Sequence, residues 1–308
     1  MSEDFKITFW GVRGSHPVPG KDTIQFGGNT TCAEVSAENA RIIIDAGTGI
    51  IELGKKLLSE HFSSKNPDKQ LNIIILFTHL HHDHTQGLPF FAPLFFGKSI
   101  LNLFGPINFG SELKLVLERS MTPPNFPIDF FQTNSMKKMY TINDSNEIVI
   151  NSKTGDVTLL NKYHDKVPEN NENLKIEIMN DYSHPANGVL IYKIIYKDRV
   201  VVFSTDVEGF MFGNSKLINF AKNATILVHD AQYTKEEYVA LPIPKQGFGH
   251  SIAEMAIEVA KKANVKNLIL THHDPNRTDS ELRKMQSKYR RRFKNLTYAK
   301  EGLTIEVD

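Results

Sequence analysis

The sequence has 308 residues, of which 40% are hydrophobic and 23% are charged, and its formal net charge is +1. These values are typical of a globular protein that buries a core without disulfides, and the near-neutral charge gives no global attraction to nucleic acid or membrane. The single cysteine, Cys32, excludes an intrachain disulfide and favours a reducing compartment. We expect one domain over residues 1–308.

The N-terminus, MSEDFKITFW, is acidic and then strand-like. It lacks the basic and apolar regions of a signal peptide. The longest apolar stretch, residues 88–105, is interrupted by two prolines, two glycines and Lys98, which predicts buried helix, loop and strand rather than a membrane span. We therefore expect a cytoplasmic protein without a membrane partner.

Short runs rich in β-branched residues predict strands along the chain, and several are apolar on both faces, as in buried strands of layered α/β folds. They are ARIIID (40–45), NIIILFTH (72–79), KIEIM (175–179), VLIYKIIY (189–196), RVVVFSTD (199–206), TILVHD (225–230) and NLILTHH (267–273).

Helical patterns lie between these runs, at residues 50–60, 251–263 and 279–293. Ser251 or its neighbour is expected to cap the second helix, with Glu254 in the capping-box position. The third should begin near Asp279 or Ser280. Residues 120–131 are too rich in proline for a helix, and residues 165–173 read as a polar loop.

Four histidines and one aspartate crowd into THLHHDHTQG, residues 78–87, directly after a predicted strand. In extended backbone, residues i and i+2 face the same side, so His79 and His81 can reach one point together. Asp83 and His84 would reach a second point as the chain turns. Imidazole and carboxylate groups suit Zn²⁺ and similar ions. His82 occupies the spacer position and is expected to point away.

One cluster cannot complete two metal sites, so further ligands should come from other strand ends. The candidates are His184 in DYSHPANG, Asp206 in VVFSTDVEG and His272 in LILTHHDP. A single buried histidine or aspartate is usually a structural residue. Three of them at strand ends, in a chain that already carries the cluster, favour a shared site.

The series THLHHDH, SH, STD and LTHH resembles the metallo-β-lactamase superfamily, whose signature is H-x-H-x-D-H. The resemblance extends from FWGVRGS to LTHHDP. It implies an α/β four-layer fold, the αβ/βα sandwich, with two mixed β-sheets flanked by helices. It also implies a binuclear, metal-dependent hydrolase with two divalent ions, expected to be Zn²⁺, with Mn²⁺ or Fe²⁺ as alternatives.

The same resemblance implies a role for each motif residue. One ion is expected on His79, His81 and His184, the other on Asp83, His84 and His272, with Asp206 bridging them. Asp45 is expected to support the site without binding metal. His273 is the alternative to His272, which we favour because it directly follows Thr271, as His79 follows Thr78.

The segments TILVHDAQYT and GFGHSIAEMAIEVAKKANVKNLILTHH are similar to the tRNase Z and phosphodiesterase branch, in which a His-Ser or His-Thr pair opens the helix before the last strand. The catalytic roles implied fall on Asp83, which would accept a proton from the nucleophile, and on His250, oriented by Asp230, which would protonate the leaving alkoxide. Amides near Ser251 would attract the substrate phosphate.

The sequence indicates the substrate less clearly than it indicates the metal ligands. His184 and Asp206 are close in sequence, and the segment between them predicts a simple hairpin with no room for a tRNA-gripping arm. We interpret the basic segment KYRRRFKN, residues 288–295, as a solvated helix face. A small phosphodiester such as a 3′,5′-cyclic nucleotide therefore fits better than nucleic acid, with Phe126 stacking on its base. Alternatives are a tRNA 3′-processing endoribonuclease and a lactonase or thioesterase. Relatives of this branch often form homodimers, which stays an open alternative.

Overall fold

The structure is a computed structural model that describes residues 5–107, 113–166, 172–185, 188–210 and 212–308. Two mixed β-sheets stack face to face, and helices cover their outer faces. This is the four-layer α/β sandwich expected from the sequence, with two mixed sheets. The predicted polar loop at residues 165–173 lies largely outside the described residues.

The first sheet has seven strands within the described residues, and the second has eight. The first contains β1 (Phe5–Gly11), β2 (Cys32–Ala37), β3 (Ala40–Ile44), β4 (Leu71–Leu76), β5 (Ser99–Gly105), β6 (Met136–Thr141) and β15 (Thr304–Glu306), in the order β15-β1-β2-β3-β4-β5-β6. The second contains β7 (Asn146–Asn151), β8 (Val157–Asn161), β9 (Asn173–Asp181), β10 (Val189–Tyr196), β11 (Arg199–Ser204), β12 (Ile226–Asp230), β13 (Asn267–Thr271) and β14 (Leu296–Tyr298), in the order β14-β13-β12-β11-β10-β9-β7-β8.

The helices of the described residues are short to moderate in length. They are α1 (Ile50–Phe62), α2 (His82–Thr85), α3 (Leu113–Ser120), α4 (Ser215–Phe220), α5 (Lys235–Val239), α6 (Ala253–Lys262) and α7 (Asp279–Arg290), with 3₁₀ turns at Leu88–Phe90, Ala92–Phe95 and Phe130–Gln132. In the part of the chain that the structure describes, no helix has the length and apolar character needed to cross a membrane.

Two helices start where the sequence predicts, but their capping contacts differ from the expectation. Ile252, the neighbour of Ser251, is the N-cap of α6, and no side chain caps this helix. Glu254 makes no capping box there, because its carboxylate accepts a hydrogen bond from the Tyr289 hydroxyl of α7 at 3.0 Å. The α7 helix begins at Asp279 as expected, but its N-cap is Thr278, which forms a capping box with Glu281.

The core lies in three layers because successive side chains of a strand point to opposite faces. In β4, Ile74 and Leu76 face the interior between the two sheets, where they join side chains from β9 to β12. Ile73 and Ile75 face outward and pack under α1 and α3. The equivalent outer layer of the second sheet packs under α4, α6 and α7. Burying each such side chain contributes about 1.5–3 kcal/mol.

The strands that matter for the site end at one edge of the sandwich. In the first sheet β3, β4 and β5 are parallel, and in the second β11, β12 and β13 are parallel. Three residues just after these strands, Asp45, Asp206 and His272, have φ angles of 63°, 57° and 59°, in the left-handed region. The chain therefore turns sharply at each strand end and directs these side chains across the edge.

The β10 and β11 strands form the tight hairpin expected from the sequence. They pair antiparallel from Tyr192↔Phe203 to Tyr196↔Arg199. The two connecting residues, Lys197 and Asp198, include a positive φ of 57° at Lys197, as short hairpin turns require. This hairpin occupies residues 189–204 and leaves no inserted arm within them.

Candidate metal centre

The histidine cluster is positioned by the end of β4 and the single turn of α2. His79 follows the strand closely, and its side chain is buried. The backbone of His81 is extended, with φ −66° and ψ 157°, and it is the N-cap of α2. The helical turn then carries Asp83 and His84 into the interior. His82 is exposed at the start of this turn, as expected for the spacer position.

One group of donor atoms consists of three imidazole nitrogens. His79 Nε2 lies 3.0 Å from His81 Nδ1, which lies 3.1 Å from His184 Nε2. His184 reaches this group from the chain after β9, in the second sheet. The structure therefore brings His184 beside His79 and His81, although more than 100 residues of sequence separate it from them.

A second group lies beside the first. His84 Nε2 is 3.3 Å from Asp83 Oδ2, 3.3 Å from Asp206 Oδ2 and 3.4 Å from His272 Nε2. His272 Nε2 is 3.2 Å from Asp83 Oδ2 and 3.3 Å from Asp206 Oδ1. All four side chains are buried.

Asp206 lies between the two groups. Its Oδ1 atom is 3.8 Å from both His79 Nε2 and His184 Nε2 in the first group. The same oxygen is 3.3 Å from His272 in the second. Thr205 fixes the other oxygen by donating its hydroxyl hydrogen to Oδ2 at 2.7 Å. This is the position that a bridging ligand requires.

The spacing of these atoms fits divalent metal ions. Nitrogen and oxygen ligands bind Zn²⁺ at about 2.0–2.1 Å in tetrahedral sites, so the corners of such a tetrahedron lie about 3.3–3.4 Å apart. The seven donor pairs measured above within the two groups are separated by 3.0–3.4 Å, and all the donor atoms of each group lie within 4.8 Å of one another. The residues present therefore form a divalent metal site by both ligand chemistry and geometry.

Hydrogen bonds from outside orient the imidazoles. Asp45 accepts from His84 Nδ1 at 2.8 Å, the Gly249 carbonyl accepts from His184 Nδ1 at 3.0 Å, and Gln232 Oε1 accepts from His272 Nδ1 at 2.9 Å. Each bond places the ring proton on Nδ1 and directs the Nε2 lone pair towards the cluster.

His79 is oriented in the same way through Thr78. The Thr78 hydroxyl donates to Asp45 Oδ2 at 2.8 Å, and the Thr78 amide donates to Asp45 Oδ1 at 2.8 Å. The Thr78 oxygen is therefore free to accept from His79 Nδ1, 3.1 Å away. Asp45 thus supports one histidine of each group without entering either, as the resemblance implies.

The electrostatics of the first group favour neutral ligands. Burial lowers the pKa of His79 well below its ordinary value, and the neighbouring imidazoles lower it further. Burial also lowers the pKa of His81 and of His184. These rings therefore carry free lone pairs near neutral pH, which metal binding requires.

The second group carries the negative charge. Burial raises the pKa of Asp206, but the imidazoles of His272, His84 and His79 more than offset this effect and hold it well below its ordinary value. Conversely, burial lowers the pKa of His84, and three surrounding carboxylates raise it well above its ordinary value. The group therefore attracts positive charge, which a divalent cation supplies.

The structure distinguishes the two adjacent histidines after β13. His272 points into the second group. His273 is buried on the other side, where its Nε2 lies 2.8 Å from the Ala299 carbonyl and its ring stacks on Tyr298 at a centroid distance of 5.5 Å. Burial lowers the pKa of His273 to about 3. The geometry therefore places His272, not His273, among the candidate ligands.

His250 and Asp230 form the pair expected from the sequence. His250 Nδ1 lies 2.6 Å from Asp230 Oδ2. The His250 ring stacks on His272 at a centroid distance of 4.9 Å and meets His184 edge-on at 5.1 Å. Burial lowers the pKa of His250, but Asp230 and the more distant carboxylates raise it to about 9. His250 therefore lies beside both groups and is held by a carboxylate outside them.

The side chains of the two expected substrate-binding residues make contacts of their own. The Ser251 hydroxyl is fully buried and donates to the Val207 carbonyl at 2.5 Å, so its side chain supports the chain after Asp206. Phe126 is partly buried in the outer core layer and meets the exposed ring of Phe90 at 5.8 Å. Phe90 follows the histidine cluster closely in sequence, so Phe126 is linked to the centre through this ring.

The sequence did not identify three contributors to the centre. The Ser15 amide donates to Asp83 Oδ2 at 2.7 Å, and Gln232 holds His272. Glu208 accepts hydrogen bonds from the Tyr238 hydroxyl and from the amides of residues 247 and 249, at 2.5–2.9 Å. These roles depend on backbone groups and on contacts distant in sequence, which no motif signals.

Comparisons with known proteins agree with this geometry. Residues 40–273 match the family model of the Beta-lactamase superfamily domain. Ribonuclease Z of Picrophilus torridus is 28% identical, over all of this chain and 97% of the relative.

Two solved structures share the fold across nearly the whole chain. The metallo-beta-lactamase fold protein YhfI from Bacillus subtilis has a TM-score of 0.61 at 17% identity, covering 99% of this chain and 100% of that one. The short form of human tRNase Z has a TM-score of 0.58 at 18% identity, covering 98% and 99%. Together with the family match over most of the sequence, these observations show that the chain belongs to the β-lactamase superfamily and is a metal-dependent hydrolase of the metallo-β-lactamase fold.

Proposed function

We propose that this protein is a tRNA 3′-processing endoribonuclease that hydrolyses an RNA phosphodiester with two divalent ions, expected to be Zn²⁺, in the candidate metal centre. The observation that carries the proposal is the pair of donor groups at tetrahedral spacing, with His250 beside both. Relatives named ribonuclease Z that match the chain from end to end support RNA over the cyclic nucleotide favoured by the sequence. We take residues 1–308 as one catalytic domain, because both sheets contribute ligands.

The ligands divide between the two ions as the geometry suggests. His79, His81 and His184 would hold one, and Asp83, His84 and His272 the other, with Asp206 shared. When bound, two such ions supply a nucleophile near neutral pH and neutralise the phosphoryl oxygens.

Side chains of the protein then accept a proton from the attacking water and donate one to the leaving oxygen. We assign Asp83 as the acceptor of a proton from the attacking water. Asp230 holds the Nδ1 atom of His250, which leaves Nε2 to protonate the leaving oxygen of the substrate. Burial lowers the pKa of His250, but the Asp230 carboxylate raises it above its ordinary value, which favours the protonated ring that this role requires.

A second candidate is a phosphodiesterase that acts on a small diester such as a 3′,5′-cyclic nucleotide. The tight β10–β11 hairpin favours it, because residues 189–204 contain no arm for gripping a large RNA. The same centre would serve both reactions, so the difference lies in surfaces outside it.

The deciding experiment compares substrates at fixed metal content. Protein loaded with Zn²⁺ or Mn²⁺, with the metal quantified, is given precursor tRNA carrying a 3′ trailer, 3′,5′-cyclic AMP, a lactone and bis(p-nitrophenyl) phosphate. We expect efficient cleavage of precursor tRNA at the trailer. Cleavage of the cyclic nucleotide alone would support the second candidate. Hydrolysis of the lactone without any phosphodiester would exclude both.

A further inference from the structure

The most basic segment of the chain is residues 283–300, which we call the basic surface. It contains eight lysines and arginines and no acidic residue. Because the net charge of the whole chain is +1, the other 290 residues carry a net charge of −7. All eight cationic side chains are exposed. The near-neutral net charge is therefore the sum of a strongly positive segment and a negative remainder.

Residues 288–295 are expected from the sequence to form a solvated helix face, but α7 ends at Arg290, and the charge pattern of the basic surface differs from that of an ordinary exposed helix. On α1, Lys55 and Lys56 alternate with glutamates and form ion pairs with Glu52 and Glu60 at 2.6 and 3.7 Å. On α7, like charges stand at helical spacing, as in Lys284 and Lys288, where repulsion destabilises a helix.

Four of the eight cations on this surface are free to bind a partner. Arg292 pairs with Glu254 at 3.5 Å, and Arg290 donates to the Leu296 carbonyl at 2.8 Å. Arg283 donates to the Gln25 side chain, and the Lys288 ammonium lies over the Tyr289 ring. Within the described ranges, the structure gives no ion pair or hydrogen bond to the side chains of the remaining four, which are Lys284, Arg291, Lys294 and Lys300.

Two grooves run through the basic surface, and Arg283 lines both. One, of 440 Å³, is lined by Ser280, Arg283, Lys284, Ser287, Lys288 and Arg291. The other, also 440 Å³, includes Arg283, Arg290 and Lys300 beside Gln25 and Phe26. Neither lining contains a carboxylate. Cations interspersed with hydroxyl groups are the donors that bind the phosphates of a nucleic-acid backbone.

Hydrogen bonds made by residues 13–29 link the basic surface to the metal centre. Asp279, at the first turn of α7, accepts hydrogen bonds from the amides of Gln25 and Phe26 at 2.8 and 3.0 Å. Ser15, in the same segment, donates to the candidate ligand Asp83. The α7 helix then extends about 18 Å from this point, given a rise of 1.5 Å per residue over its 12 residues.

We propose that the basic surface binds the sugar–phosphate backbone of the RNA substrate, holding a stem while the scissile phosphate lies at the metal centre. This proposal rests on the proposed function for its choice of RNA. Because the β10–β11 hairpin carries no arm, the basic surface supplies the second contact that a large substrate needs.

The test replaces three exposed cations at once, as Lys284→Gln, Lys288→Gln and Arg291→Gln. The matched control removes the same charge from exposed positions outside the basic surface, as Lys65→Gln, Lys222→Gln and Lys261→Gln. Binding of a fluorescent RNA stem-loop without a 3′ trailer is measured by anisotropy between about 50 and 300 mM salt. Hydrolysis of bis(p-nitrophenyl) phosphate is measured in parallel.

We expect the first triple variant to bind RNA at least about tenfold more weakly than the control. The slope of log affinity against log salt should become shallower by about 2–3, since each lost phosphate contact removes roughly 0.7–0.9. Both variants should hydrolyse bis(p-nitrophenyl) phosphate at the wild-type rate. Equal affinity and equal slope in the two variants would overturn the proposal.

Two further outcomes separate this proposal from the proposed function. If the wild type binds the stem-loop through the basic surface but cuts no precursor tRNA, the proposed function fails and the RNA surface stands. If the wild type binds phosphatidylserine vesicles but not RNA, the surface serves a membrane and the proposal fails.

Discussion

Glu208 holds a segment of chain that shapes the metal centre, and its replacement by glutamine is the most informative single change. Its buried carboxylate accepts hydrogen bonds from the Tyr238 hydroxyl, the Gly247 amide and the Gly249 amide. The Gly249 carbonyl in turn accepts from His184 Nδ1. Glu208→Gln therefore perturbs a candidate ligand without touching any donor atom of the cluster.

The size of the effect follows from these bonds. A hydrogen bond to a charged group contributes about 1.5–3 kcal/mol. The glutamine keeps one acceptor oxygen but turns an amide towards one of the backbone N–H groups, so we expect a local loss of about 2–3 kcal/mol. Since about 1.4 kcal/mol is tenfold in an equilibrium constant, full transmission would weaken metal binding by roughly 30- to 150-fold. Loss of an outer partner of a metal ligand commonly costs about 10- to 100-fold.

The assay is competition for Zn²⁺ with a chromophoric chelator, followed by hydrolysis of bis(p-nitrophenyl) phosphate at saturating metal. The control is Glu236→Gln, which removes the same charge from an exposed position on the adjacent helix α5. We expect the control to match the wild type and Glu208→Gln to bind one ion about 10- to 100-fold more weakly. Equal Zn²⁺ affinity in the two variants would refute the role of this segment.

The remaining predictions concern the centre and one ion pair. Asp206→Asn should lose bound metal and turnover together, as measured by elemental analysis and hydrolysis rates, because the residue lies between both donor groups. His250→Ala should retain metal while kcat falls by about 10²–10⁴, the usual contribution of a general acid; full activity with full metal would exclude the assignment. Chelation should lower Tm, and restoring Zn²⁺ should raise it in proportion to the logarithm of free metal; a Tm independent of metal would contradict the centre. Burial raises the pKa of Glu237, but Arg277 and the Thr234 amide lower it below its ordinary value of 4.5. The Glu237–Arg277 ion pair therefore stabilises the fold above pH 4.5 and loses this effect as pH falls through the lowered pKa. Because Glu237 is half-exposed, Glu237→Gln should lower the free energy of unfolding by about 0.5–1 kcal/mol at pH 7 and by progressively less as pH falls below 4.5, measured by denaturant titration.

Much of the fold could be predicted because buried strands and amphipathic helices leave strong patterns. All seven predicted strands and three predicted helices are present. The sequence did not identify β2, with its sequence CAEVSA, or β6, with MKKMYT, since neither is a run of branched apolar residues. The strand β6 is also at an edge, where polar side chains face water and the apolar signal is weak.

The candidate ligands were predictable because each ends a strand in a recognisable motif. The contacts that orient them were not, because they depend on tertiary neighbours. Gln232 is one polar residue among many until the fold places it on His272. The Ser251 hydroxyl is another such contact, since it supports the chain after Asp206 through the Val207 carbonyl. The substrate was the least predictable property, because the near-neutral net charge of the whole chain gives no sign of the basic surface.

The left-handed backbone at Asp45, Asp206 and His272 also bears on how such a centre can decay during evolution. Glycine adopts this conformation freely, asparagine, aspartate and histidine are enriched in it, and most other residues lose roughly 1–2 kcal/mol there. Backbone geometry and chemistry therefore select overlapping residue types at these positions. Relatives that abandon catalysis but keep the fold should first carry asparagine or glycine there, which would identify inactive members from sequence alone.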